Sequence, residues 1–138
     1  MRRSAMRVRG GLGLLLAGWL AACDESFTGP TYPLDSRFTL APGEIAGIER
    51  AGIRVQFGGV EGDSRCPADV VCVWGGDARV LVSVVSSEGQ ADYELHTGDM
   101  QPVRHGDLTI ALEELSPYPF STQAIGPDEY RATLRVTR

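Results

Sequence analysis

Three cysteines carry most of the chemistry this chain offers, and they fall into two groups. Cys66 and Cys72 enclose five residues, whereas Cys23 stands alone behind Leu20-Ala21-Ala22. An even pair in an exported domain reads as a disulfide. The alternative is a metal or redox pair, but the spacing is not Cys-x-x-Cys and no second Cys/His pair sits close by. Other reactive groups are scattered. His96, Met100 and His105 are of types that suit copper, yet their spacing matches no motif, and two surface histidines with an unrelated Met are the default. Glu61, Asp63, Asp69 and Asp77 crowd one stretch, but calcium takes six to eight oxygens and no Asp-x-Asp-x-Asp-Gly run is present. There is no Gly-x-Ser-x-Gly elbow, no His-Glu-x-x-His and no phosphate loop. Glu113 and Glu114 are adjacent, so a strand would turn them to opposite faces. The expectation is a protein that is not an enzyme, with no catalytic residues, no metal and no cofactor.

Cys23 belongs to an export segment. Arg2, Arg3, Arg7 and Arg9 precede an uncharged run, Gly11 to Ala22, rich in leucine. A basic head, a short apolar run and small residues before a cut site make a secretory signal. The run is about a dozen residues, short of the roughly 20 that cross a bilayer. Leu20-Ala21-Ala22-Cys23 resembles the lipobox of bacterial lipoproteins. That resemblance implies a diacylglycerol on the Cys23 thiol, cleavage before Cys23 and acylation of its amino group. Stable anchoring takes more than one acyl chain, and each buried CH₂ contributes roughly 0.8 kcal/mol. Residues 1–22 are then a removed signal, and the protein is expected in the bacterial envelope, lipid-anchored on the extracytoplasmic side. Asp24 does not assign it to the inner or the outer membrane.

Cleavage there leaves 116 of the 138 residues, with nine arginines, no lysine and eighteen carboxylates, a formal charge of −9. Such a chain repels phosphate backbones, which excludes nucleic acid as a natural partner. It also repels an anionic bilayer, favouring a domain that stands off the membrane. Residues 23–34 contain Gly29, Pro30 and Pro33 and read as the lipidated tether, leaving 35–138 as the domain.

The domain has the period of strands. Arg37–Leu40, Ile53–Phe57, Tyr93–His96, Leu108–Leu112 and Tyr130–Thr137 alternate apolar and polar. Ala78–Val85 is apolar on both faces and predicts a central strand covered on two sides. Ile45–Ile53 is mixed, broken by Gly47 and Gly52. About six to seven strands between Gly/Pro turns predict an all-β, antiparallel β-sandwich, with a small barrel as the alternative. Two long loops are expected, Gly58–Gly76 and Ser116–Asp128.

The densest stretch is Asp63-Ser64-Arg65-Cys66-Pro67, followed by Cys72-Val73-Trp74-Gly75-Gly76. It resembles a family of small, largely uncharacterised bacterial exported lipoproteins, and Ser116–Pro119 and Tyr130–Val136 share the likeness. The resemblance implies a common fold and a disulfide-braced loop, and carries no activity. Arg65, Trp74 and Tyr118 are the candidate recognition residues. Arg65 beside Cys66 suits a protease inhibitor that presents a basic residue on a braced loop; alternatively it pairs with Asp63 or Asp69 and holds the loop shut. Trp74 with Tyr118 and Phe120 suits a platform for a glycan or peptide; more commonly such a Trp packs over the disulfide in the core. The expected partners are the membrane, through acyl chains on Cys23, and an envelope protein or glycan. Replacing the thiol tests the anchor: Cys23→Ser should move the protein out of the membrane fraction or block processing, read by fractionation and intact mass.

Overall fold

The computed structural model describes residues 26–138; the signal segment and Cys23 lie outside the described residues. Nine strands follow in order: β1 (Thr31–Tyr32), β2 (Arg37–Leu40), β3 (Ile45–Ile48), β4 (Ile53–Asp63), β5 (Ala78–Ser86), β6 (Gly89–His96), β7 (Val103–His105), β8 (Leu108–Ser116) and β9 (Arg131–Thr137). They form two sheets, β1-β3-β4-β5-β6 and β2-β9-β8-β7. All pairs are antiparallel except β1 with β3. The expected sandwich is present and the sheets do not close into a barrel.

Period-two patterning builds the core. Ile53, Val55 and Phe57 of β4 point inward with Val80, Val82 and Val84 of β5, against Ile110 and Leu112 of β8 and Leu134 and Val136 of β9. Burying a side chain of this size contributes about 1.5–3 kcal/mol. The alternate residues face out, so one face of each sheet is solvated. β5 therefore departs from its expected double cover. It is central within its sheet, but Leu81 and Val85 stay half-exposed because no second layer lies over them.

The segment read as a tether is largely part of the domain. The Gly47 amide donates to the Pro30 carbonyl at 2.8 Å and the Glu49 amide to that of Tyr32 at 2.9 Å. Tyr32 stacks on Phe38 with ring centroids 5.1 Å apart. Arg54 lies over the Phe27 ring at 5.6 Å. The Pro and Gly residues signalled a linker, but Tyr32 and Leu34 supply apolar surface that the sandwich takes up.

The first long loop is also shorter than expected. β4 runs on through Gly58–Asp63 with irregular register after Phe57 and after Val60. These bulges break the alternation that marks a strand in sequence. β7, of three residues, carries too little pattern to be seen.

Candidate functional site

The loop between β4 and β5 leaves one end of the sandwich as a narrow finger. At its neck the Ser64 amide donates to the Asp77 carbonyl at 2.7 Å, and the Cys66 amide to that of Gly75 at 3.1 Å. Gly76 is indispensable to this closure. Its φ is +70°, and a Cβ there would sit 1.8 Å from the Ser64 carbonyl oxygen. Gly75 has open space around the same position. Cys66 and Cys72 are joined, with Cα atoms 5.9 Å apart. Closing a loop of about seven residues removes unfolded-state freedom worth about 2.4 kcal/mol in the chain-entropy model. Two further ties fix the finger sideways. The Ala68 amide donates to the Pro119 carbonyl at 2.9 Å, and the Asp69 carboxylate accepts from the amide and hydroxyl of Ser121.

Beneath the finger lies Arg65. Its side chain is 5% exposed and that of Asp63 9%. The guanidinium Nε donates to Asp63 Oδ1 at 2.8 Å and Nη2 to Oδ2 at 2.6 Å. Nη1 and Nη2 also donate to the carbonyls of Leu115 and Pro117, at 2.7 and 3.0 Å. Tyr118 covers the guanidinium face at 5.3 Å, and the Tyr130 hydroxyl donates to Asp63 Oδ2 at 3.1 Å. The planar fork of arginine matches a carboxylate and two carbonyls at once. Burial alone would raise the Asp63 pKa, but the Arg65 hydrogen bonds and charge, with Tyr130, hold it below the ordinary value. Of the two carboxylates expected to pair with Arg65, the structure selects Asp63. Arg65 is turned inward and offers a protease no basic side chain.

The finger's own side chains go the other way. Val71 is 100% exposed, Val73 92% and Trp74 83%. Trp74 does not pack over the disulfide: Cys72–Trp74 is not a strand, so no sheet face carries the ring inward. Tyr118 and Phe120 are also exposed on the neighbouring loop. Val71 and Val73 were missed as functional candidates. Their signal was an uncharged run between Asp69 and Asp77, which also describes a strand. Beside the finger is a groove of about 390 Å³, bordered by Gly75, Met100, Glu114, Leu115 and Tyr118.

The remaining candidates disperse. Asp69 goes to Ser121, Asp63 to Arg65, Glu61 to Arg79 and Asp77 to His96. His96 lies between Asp77, 2.6 Å from Nδ1, and Glu94, 3.1 Å from Nε2. Both ring nitrogens face carboxylates, an arrangement that favours the imidazolium. The Asp77 hydrogen bond, with Glu94 and Asp99, raises its pKa against a desolvation that lowers it. His105 instead meets the Tyr93 hydroxyl at 2.9 Å. Glu113 and Glu114 do not simply oppose one another, because a bulge falls between Leu112 and Glu114. Arg37 reaches both, at 3.4 and 3.9 Å.

Comparison with protein-family models, curated proteins and solved structures finds no match to this chain.

Breaking the buried pair from one side should be costly. Arg65→Met leaves Asp63 buried without its cation and is expected to destabilise by about 3–5 kcal/mol. Arg65→Met with Asp63→Leu should lose less, measured by urea unfolding of both. His96 provides a pH test. Its folded pKa lies above the ordinary value of about 6.5, so its stabilisation is complete below that pH and fades as pH rises through the folded pKa. Melting temperature should fall over that window in the wild type, and His96→Gln should flatten this component.

Proposed function

We propose that this chain is a lipid-anchored bacterial cell-envelope protein of non-catalytic type, a binding module whose contact surface is the disulfide-braced finger Val70–Trp74. The observation that carries the reading is the exposure of Val71, Val73 and Trp74 on a loop fixed at its neck, side and base. Large apolar side chains presented to water in a cluster mark interaction surfaces. Bracing lowers the ordering cost of association, so more of the contact energy appears as affinity. The Leu20–Cys23 sequence supports the anchor, as does the likeness of Asp63–Gly76 to exported lipoproteins. The inward Arg65 weighs against the inhibitor reading, which needs that side chain outside.

Substitution at the tip tests the surface without disturbing the core. Val71→Asp and Trp74→Ala should each change folding stability by no more than about 0.5 kcal/mol, as for surface sites lacking structural partners. Crosslinked higher-mass species formed by the full chain in intact cells should fall at least tenfold in the double variant. Undiminished species with both substitutions would remove the finger as the contact surface.

A further inference from the structure

Resting on the anchored-module reading, we infer that the finger is addressed to a second protein bearing an apolar cleft with a basic rim, met on the side of the domain away from its own membrane. The direction comes from where the chain enters and where the finger leaves. Phe27, the second described residue, lies against Gly47 and under Arg54. Arg54 pairs with Val85, so the anchored end coincides with the start of β4 and the end of β5. The finger begins one residue after Asp63, which pairs with Ala78 at the opposite ends of the same strands. Along the partner strand β5, from Ala78 to Val85 at about 3.3 Å per residue, the two ends lie about 23 Å apart. With only Cys23–Ser26 between the acyl chains and the docked segment, the finger points away from the anchoring bilayer.

That placement excludes the other occupants in turn. The anchoring membrane is at the wrong end, and the net charge of −9 on the chain from Cys23 onward keeps it from lying down on anionic lipid. An end-to-end contact between two copies requires opposed orientations, which anchoring in one leaflet forbids. Side-by-side copies bring two strongly acidic domains together. A glycan needs polar groups beside its stacking ring; Val70–Gly76 supplies none apart from the indole N–H of Trp74, and the neighbouring Asp69 carboxylate is taken by Ser121, which weighs against a glycan. An aliphatic and indole tip fits instead into an apolar protein cleft, as interface anchors do. The rim beside it is acidic: Asp69 and Glu114 are exposed, Asp69 is bonded only to the neutral Ser121, Glu114 meets the exposed Arg37 at 3.9 Å, and the cation at the base, Arg65, is already held by Asp63. A basic rim on the partner would speed encounter in a salt-sensitive way.

The test is site-specific photocrosslinking of the full chain in its own cells. A photoreactive phenylalanine analogue is placed at position 71, and at Glu88 in the β5–β6 turn as control. Position 71 should give an adduct with one other protein, and position 88 should not. The adduct protein, purified, should bind the detergent-extracted chain with a shift in Trp74 fluorescence, Trp74 being the only tryptophan after Ala22. Val71→Asp should weaken that binding at least tenfold, and added salt should slow association. Adducts at position 71 only with lipid, glycan or a second copy would overturn the inference, as would binding unmoved by Val71→Asp. Adducts with lipid, glycan or a second copy would still leave the finger as a contact surface. Tip substitutions without effect on crosslinking in cells would remove the underlying reading itself.

Discussion

The Arg65–Asp63 pair is the contact on which the organisation of the functional end depends. A β-sandwich is open at its ends, where the last backbone carbonyls of one sheet have no partner in the other. Arg65 answers this at one end. It follows β4 of the first sheet, yet donates to the carbonyls of Leu115 and Pro117 at the end of β8 in the second. Two buried ions alone are poor value, since desolvation can exceed their attraction. This pair is also satisfied by two carbonyls, a tyrosine hydroxyl and an aromatic face. The cross-sheet ties make it useful: the guanidinium joins the end of β4 to the end of β8, two segments in different sheets that no strand pairing joins.

The finger inherits its rigidity from that base. The disulfide closes a loop within one segment and cannot by itself orient it against the sandwich. Arg65 sits next to Cys66, so fixing the guanidinium fixes the first limb of the loop. The Gly76 backbone and the Ser64–Asp77 bonds fix the second. Asp69 and Ala68 then hold the flank to the 117–125 loop. Between these constraints, Val71 and Trp74 cannot fold back onto the surface without breaking several hydrogen bonds. Exposure here is imposed by covalent and polar restraints against the hydrophobic effect.

The sequence made the sandwich legible because its strands alternate so regularly. Ile53-Arg54-Val55-Gln56-Phe57 needs no tertiary information to be assigned, since only a half-buried strand buries every second residue. Where tertiary contacts override local pattern, legibility ends. Tyr32 joins the sheet through a parallel pairing with β3 that no local signal announces. The bulge at Glu113 undoes the rule that adjacent strand residues face apart. The Asp63–Arg65 pairing was visible as one of two options, because both carboxylates are close in sequence. Choosing between them required the positions of Ser121 and Tyr130, each more than 50 residues away.

Trp74 is the most informative failure. A Trp beside a disulfide in a β-domain ordinarily covers the sulfur, and that expectation assumes the chain after the second cysteine is a strand. In this chain the segment returns instead through Gly75–Gly76 to a neck only a few ångströms wide, with Ser64 and Asp77 in contact. The groove beside the neck is bordered by the neck glycines themselves and by residues of β8, and the indole of Trp74 stands outside it. A finger shaped this way has no interior, and every large side chain on its tip must face water or a partner. Three aliphatic or indole side chains are held there against their solvation cost, and it is this exposure that the proposed contact surface rests on.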